Sequence, residues 1–447
     1  MANDSDIRRV GIASAIGTTL EWYDFFIFGS AAALVFSKLF FPAFDAVAGT
    51  IASLASFAVG FIARPLGGIV FGHFGDRIGR KAMLVLSLTM MGGVTFLIGL
   101  LPTYQSIGLA APVLLTLLRF LQGFAVGGEW GGATLMVIEH APAKKRGFYG
   151  SWPQMGIPAA LLLSTGVMAA TNALTTPEQF AAWGWRIPFL LSGVLVVVGV
   201  VIRRNVSESP SFKRLQRADA KARLPIAAVF RTQKKRTALI IASQAAENTS
   251  FYILAVYSLV YLTQNLHVPR PLALRALMIA AFFTFLAQPL FGALSDRIGR
   301  KKVFMGEMIF LGLFIYPFFA MLNTGSYPLI VMAMTLALAL GQGSTQAAQP
   351  SLFGEQYHAS IRYSGVSVAY QFATVIWSGP TPILAALFVL WAGSYWPLVA
   401  YVGIAAVISV CAIVPLREAA GGELGSLEPL PAEETDVHDR HAAGQRA

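Results

Sequence analysis

The chain predicts an all-α membrane protein, with twelve transmembrane helices in two pseudo-symmetric six-helix bundles. Three observations carry that expectation. Of 447 residues, 56% are apolar and only 12% charged, whereas a soluble chain carries roughly 25% charged residues. A soluble surface this apolar would aggregate, so the missing charge means lipid contact. Apolar runs long enough to cross a bilayer, about 20 residues each, recur from end to end. And one turn is nearly written twice: Gly75-Asp76-Arg77-Ile78-Gly79-Arg80-Lys81 returns half a chain later as Ser295-Asp296-Arg297-Ile298-Gly299-Arg300-Lys301. A basic turn duplicated between apolar segments marks an internally repeated membrane protein with both copies on one side of the bilayer.

In chain order the spans fall at roughly 10–36, 47–72, 82–101, 109–140, 148–171, 187–203, 237–262, 272–294, 302–322, 328–352, 363–392 and 395–416. Most of the 33 lysines and arginines, Arg203 and Arg204 among them, lie in the connections on one side, and Lys38, Arg186, Arg270 and Arg275 on the other. The positive-inside rule then puts both termini in the cytoplasm, in agreement with an even number of spans. The domains are a six-helix bundle at 1–203, a basic cytoplasmic linker loop at 204–236, a second bundle at 237–416, and an acidic tail at 417–447. The tail has Gly, Pro and no heptads, and is expected to be disordered. The first apolar run follows Arg8 and Arg9, continues for about a full span and ends in no A-x-A-like site, so a cleaved signal is not expected. Cys411 is the one cysteine, which excludes an intramolecular disulfide and a cysteine-based metal site. The formal charge of +11 invites a nucleic-acid reading. The basic residues refuse it, because they sit in short loops with no folded domain to form a groove.

Each copy of the turn has a mechanical reading. Gly79 and Gly299 permit positive φ where the chain reverses. Asp76 and Asp296 oppose the positive-inside pattern. A carboxylate there can cap the positive N-terminal end of a neighbouring helix, and spans 5 and 11 begin on that side near Gly147 and Tyr363. Glu139 and Arg146 also recur, as Glu355 and Arg362, at nearly the same offset as the turns.

At this point the chain resembles the major facilitator superfamily over essentially its whole ordered length. Within it the chain is similar to the metabolite–proton symporter family. The matching stretches are TTLEWYDFFIFG, ARPLGGIVFGHFGDRIGRK, RFLQGFAVGGEWGGA, GWRIPFL, ESPSF and RYSG. TTPEQF, Gln349-Pro350 and Tyr370-Gln371 extend the likeness to its shikimate permease-like branch, while Trp377-Ser378-Gly379-Pro380 departs from that branch. The resemblance implies alternating access, with a cytoplasmic gate built from Asp76, Arg77, Arg80, Glu139, Arg146, Asp296, Arg297 and Arg300. It implies that Asp76 locks the first half against span 11 and that Arg77 and Arg80 reach acids such as Glu139. Charges that only set topology are the alternative.

A lone charge at mid-bilayer costs at least about 2.5–3.5 kcal/mol, so such a residue faces a cavity, finds a partner or titrates. Asp24 lies near the middle of span 1 and Arg119 in span 4. Sugar–proton symporters of the resembled superfamily carry an Asp and an Arg at matching places, which implies Asp24 as the proton site and Arg119 as its partner. A static ion pair is the alternative. Glu129 is a second proton carrier or the partner of a cytoplasmic-side base. Glu21, one turn from Asp24, is a further coupling candidate or a partner for Arg64. Arg64 either snorkels to the interface or clamps an anion. The substrate site is expected to draw on Arg64, Arg119, Gln122 and Gln154 from the first half. Gln244, Glu247, Asn248, Tyr252, Gln346, Tyr370, Gln371 and Trp377 would complete it from the second. Gln342, Gln346 and Gln349 form a polar stripe that lines a cavity or bonds helix to helix. Glu307 is expected at the interface.

No GxxxxGK[ST] loop is present, which argues against an ATP-driven pump, and no metal-ligand cluster or nucleophile–base pair argues for an enzyme. The expected function is proton-coupled uptake of a small organic acid, such as shikimate or a di- or tricarboxylate, across a bacterial inner membrane. Two alternatives remain. An efflux antiporter would carry Gly-Pro-x-x-Gly-Gly in span 5, where this chain has Gly156-Ile157-Pro158-Ala159-Ala160. A proline/betaine-type symporter of the osmosensing kind would carry a coiled-coil tail. The expected partners are the organic acid, protons and membrane lipid, with no cofactor beyond the proton, no metal, no nucleic acid and a monomeric state.

Overall fold

In the computed structural model, residues 4–43, 46–204, 207–217 and 225–418 are described, together with Gly422 and Leu424. Twelve helical columns run through them. The first half comprises α1 (4–40), α2 (Ala46–Arg77), α3 (Arg80–Leu100), α4 (Ala110–His140), α5 (146–174) and α6 (Arg186–Arg204). The second comprises α7 (234–265), α8 (Arg270–Ile298), α9 (Arg300–Asn323), α10 (Tyr327–Gly354), α11 (Arg362–Ala392) and α12 (Trp396–Ile413). Ten columns are long and apolar enough to cross a membrane among the described residues. The other two, α1 and α7, are the polar ones: they carry Glu21 and Asp24, and Gln244, Glu247 and Asn248. The fold is all-α, with two six-helix halves.

Inside the first half α2 packs on α4, α1 on α5 and α3 on α6; in the second, α9 packs on α12 and α8 on α10. The halves meet where α2 lies against α11 and α5 against α8. Outward faces carry exposed Ile62, Leu66, Val113, Val197, Leu290, Leu313 and Leu390. Lipid tails are as apolar as these side chains, so nothing drives them inward.

Both charged turns, with both ends of the described chain, lie at one end of the molecule, called here the basic end. Gly79 and Gly299 stand at φ 132° and 105°, a region that a Cβ would close. The segments after α6 and α12 return to cap the turns. Glu208 Oε2 accepts from Lys81 N at 3.1 Å, and Glu418 Oε2 from Lys301 N at 2.8 Å, so an acid faces the N-terminus of α3 and of α9. The expected loop at 204–236 contains two short helices, Pro210–Arg217 and Pro225–Thr232. Of the acidic tail, residues 419–421, 423 and 425–447 lie outside the described residues.

Several columns change winding near mid-length. Five-residue-turn segments occupy Ile253–Tyr257 in α7, Leu336–Gln342 in α10 and Thr374–Ser378 in α11. Such bulges re-aim the side chains beside them and are frequent at functional sites.

Candidate functional site

Asp24 is buried in α1 at 1% exposure. Its carboxylate accepts from Ser192 Oγ of α6 at 2.6 Å and from Thr95 Oγ1 of α3 at 2.9 Å. Thr95 Oγ1 also accepts from Gln122 Nε2 at 2.6 Å, and Gln122 Oε1 accepts from Arg119 Nη1 at 2.5 Å. The expected direct contact between Asp24 and Arg119 is therefore replaced by a hydrogen-bonded chain, Asp24–Thr95–Gln122–Arg119. The physical reason is reach: the hydroxyls of α3 and α6 occupy the carboxylate, and Gln122, on the same face of α4 as Arg119, intercepts the guanidinium.

Arg64 and Arg119 both stand over the ring of Phe25, at 5.0 and 5.2 Å from its centroid. Arg64 also faces Phe61 at 4.8 Å, and Arg119 faces Phe28 at 4.4 Å. Cation–π contact of this kind holds a guanidinium in apolar surroundings without neutralising it. Arg64 is 4% exposed, so it does not snorkel to the interface. No carboxylate among the described residues is within ion-pair distance of it, and the suggested Glu21–Arg64 pair is not made. Gly60 makes the room: a Cβ there would lie 2.7 Å from Arg119 Nε. Across the inter-half space Tyr252 of α7 lies within electrostatic reach of both arginines. Its buried hydroxyl has no hydrogen-bond partner among the described residues.

Glu129 forms a two-pronged ion pair with Arg203 of α6, through Nη1 on Oε2 at 2.9 Å and Nη2 on Oε1, and accepts from Ser87 Oγ at 2.9 Å. Counting Arg203 with the loop residues is thus corrected, because it is 4% exposed and turns inward from the end of α6. Glu21 is buried nearby, with Oε2 unpartnered among the described residues.

In the second half much of the polar stripe bonds helix to helix. Gln342 Nε2 donates to Glu247 O at 3.0 Å and Ser250 Oγ at 2.6 Å; Gln288 Nε2 to Gln346 Oε1 at 2.9 Å; Gln349 Nε2 to Gln244 Oε1 at 3.1 Å. Asn248 Oδ1 accepts from Ser378 Oγ at 2.6 Å, and Trp377 Nε1 donates to Ile241 O at 2.9 Å. Towards the basic end Tyr370 stacks on Trp130 at 3.9 Å and 4°. Trp130 Nε1 donates to Gln154 Oε1 at 3.2 Å, and Gln371 Nε2 to Gly127 O at 3.0 Å. The Tyr370–Trp130 stack and the Gln371–Gly127 bond join the halves below the arginines. Glu307, expected at the interface, is only 3% exposed.

The basic end is closed by a crossed lattice. Asp76 accepts from the backbone of Tyr363 at 3.2 Å and Ser364 at 2.9 Å, at the start of α11. Asp296 accepts from Gly147 at 2.8 Å and Phe148 at 2.9 Å, at the start of α5. Each acid thus caps a helix of the opposite half. Glu139 is held by Arg80, by Ser209 and by Arg362 of the other half, the last at 2.6 Å. Glu355 lies 3.3 Å from Arg300 and 3.7 Å from Arg146 of the other half. Glu139 meets Arg80 rather than Arg77. Arg77 and its counterpart Arg297 are exposed on the turns, because the helix register turns them outward. The chain after α12 crosses the same region, where Gly422 O accepts from Arg146 at 2.5 Å and Leu424 O from Arg362.

Residues 10–228 match the family described as Sugar (and other) transporter, and residues 240–438 match the Major Facilitator Superfamily. The chain is 43% identical over 398 residues to the shikimate transporter of Escherichia coli (strain K12), covering 89% of this chain and 91% of that one. The chain belongs to the major facilitator superfamily. It is also 41% identical over 384 residues to an inner membrane metabolite transport protein of the same organism, YhjE, covering 85% and 87%. Among solved structures it is similar to the proton:xylose symporter XylE bound to 6-bromo-6-deoxy-D-glucose, with TM-score 0.77 and 15% identity over 94% of this chain and 98% of that one. This facilitator is a transporter, not an enzyme, and its relative YhjE is an inner-membrane protein.

Sequence reasoning missed several members of the facilitator's polar interior. Thr95 and Ser192 are single hydroxyls on apolar helices and carry no pattern of their own. Trp130 stood inside the quoted glycine-rich run, and Glu208 and Ser209 inside ESPSF, without a role. A 660 Å³ cavity between α1, α5 and α8 is lined by Ile16, Trp152, Phe285, Leu290 and similar side chains. It is apolar and lies apart from the arginines, so it is not the polar site.

Proposed function

We propose that this facilitator takes up a small organic acid with protons by alternating access, with the basic end facing the cytoplasm. One observation carries the reading: two buried guanidiniums flank one ring, and one of them is joined to a buried acid by a hydrogen-bonded chain. Arg64 and Arg119 clasp the substrate carboxylate. Tyr252 supplies a hydroxyl from the opposite half, Trp22, Phe61 and Phe251 are walls, and Gln and Asn side chains of α7 and α10 receive hydroxyl or keto groups.

Coupling follows from charge. The chain from Arg119 to Asp24 is polarised from base to acid, and each bond strengthens the next. A substrate carboxylate that takes Arg119 removes its positive end. A carboxylate buried without a counter-charge neutralises by taking a proton. Anion and proton then bind together, which is symport. The crossed lattice is the cytoplasmic gate, with Asp76 and Asp296 as its two caps. The departure of the α5 stretch from Gly-Pro-x-x-Gly-Gly supports uptake over export.

The test is uptake of radiolabelled shikimate into proteoliposomes with an imposed inward proton gradient, with citrate, 2-oxoglutarate and betaine as rivals. Accumulation of a carboxylate that collapses with the gradient is the expected result. Uptake of betaine alone, dependence on sodium alone, or indifference to the gradient would reject the proposal.

A further inference from the structure

The two halves are built on one register, and they part at one buried acid. Lys81 Nζ reaches Arg204 O at 2.6 Å, and Lys301 Nζ reaches Val414 O at 2.7 Å. Equal steps along the paired helices make Ser87 the counterpart of Glu307, and Arg203 the counterpart of Ile413. In the first half Ser87 of α3 donates to Glu129 of α4, and Arg203 neutralises that acid. In the second half the acid has moved to α9, where Ser344 of α10 donates to Glu307 Oε2 at 3.1 Å. The base has not followed: fully buried Ile413 stands in its place.

Glu307 is thus an acid at 3% exposure whose Oε1 has no hydrogen-bond partner among the described residues. Glu247 of α7 is the ionisable group that acts on it electrostatically, and it is itself 5% exposed with Oε2 unpartnered. The other ionisable groups of the surrounding helices lie elsewhere along them. On α9 they are Arg300, Lys301 and Lys302 at one end and Tyr316 beyond; on α8, Arg270 and Arg275 at one end and Asp296 and Arg297 at the other. Between Tyr327 and Glu355 α10 has none, and α12 brings Tyr401 and Cys411. α7 has Lys234, Lys235 and Arg236 at its basic end and Tyr252, Tyr257 and Tyr261 beyond Glu247, and α11 has Arg362 and Tyr363 at its start and Tyr370 within electrostatic reach of Glu247. A nearby acceptor also lacks a donor: Gln342 spends its amide nitrogen on α7, which leaves its Oε1 buried and unpartnered among the described residues.

Two desolvated carboxylates with no base to compensate them are strongly disfavoured as ions. A proton removes a charge and supplies the missing donor. We infer that the second half holds a proton-binding site of its own, built from Glu307 and Glu247, occupied at neutral pH and separate from Asp24. As a carrier of a second coupled proton the site rests on the symport reading above; as a protonated acid it does not.

The test is infrared spectroscopy of the purified full-length protein at pH 7, in H2O and D2O, on the carbonyl stretch of neutral carboxylic acids. Wild type and Asp24→Asn should show that band from a buried site, and Glu307→Gln should lose about half of it or more. A Glu307→Gln spectrum that superimposes on wild type would overturn the site. Gln has nearly the shape of the neutral acid, so its melting temperature should stay close to wild type. Ile413→Arg restores the absent base and should also diminish the band; a band unchanged there overturns the site as well. No substrate is needed, so failure to take up any organic acid would leave this result standing, and loss of the site would leave uptake untouched as a question.

Discussion

Arg203 and Glu129 show how one side chain decides whether a membrane interior tolerates charge. Each alone would be a desolvated ion, and together they satisfy each other with Ser87 as third partner. Removing one partner of a buried pair typically costs about 3–5 kcal/mol, because it leaves the other uncompensated, whereas replacing both is far milder. Arg203→Leu is therefore expected to lower the melting temperature sharply, and Arg203→Leu with Glu129→Leu to recover most of the loss; thermal melts in detergent check both. Gly60 acts through space alone. In Gly60→Ala the new methyl meets Arg119 Nε at 2.7 Å, and the flexible guanidinium gives way more readily than backbone. Stability should change little while carboxylate binding weakens about tenfold, near 1.4 kcal/mol, as calorimetric titration would read.

At the scale of elements the charged turns are clasps between halves. Asp76 and Asp296 each accept two backbone N–H groups at the start of a helix across the interface. Losing such a cap costs about 0.5–2 kcal/mol. Asp76→Ala and Asp296→Ala should each open the basic end by that margin, with label-to-label distances there as the measurement. This level was the most legible in the sequence. The duplicated turn, the twelve columns and the approximate boundaries followed from hydropathy and repetition, because lipid leaves no other choice for long apolar runs. What hydropathy could not carry was rotation about each helix axis. Arg203 looked like a loop residue because it adjoins Arg204 at the end of an apolar run. Glu307 looked interfacial because it lies near a helix start. Thr95 and Ser192 gave no signal, since a lone hydroxyl on an apolar helix can bond its own backbone, as Thr95 does to Met91 O. The five-residue turns in α7, α10 and α11 were equally silent, because they arise from packing rather than composition.

At the scale of the molecule, closing the basic end is linked to pH through Glu355. Burial pushes its carboxyl up to about 7, against the lowering pull of Arg300 and Arg146. A raised folded-state value means the closed arrangement binds the extra proton. Its contribution to closure is full below the ordinary carboxylate value near 4.5 and is lost as pH rises through about 7. Electron–electron resonance between labels at exposed Lys144 and Lys302, with Cys411→Ser, should show the basic end widening between pH 5 and pH 8. Glu355→Gln should flatten that response, and an equal response in the variant would place the titration elsewhere.

The halves also divide the chemistry. The first supplies the guanidiniums and the acid wired to them; the second supplies hydroxyl and amide groups, with Tyr252 facing the arginines. Asp24→Asn in proteoliposomes tests this division most directly, by comparing exchange of labelled against unlabelled substrate with accumulation under a proton gradient. Exchange should persist, because the arginines still clasp the anion, while accumulation should disappear, because the hydrogen-bonded chain from Arg119 then ends on an amide that cannot take a proton when substrate claims the guanidinium. Gradient-driven accumulation equal to wild type in Asp24→Asn would contradict it.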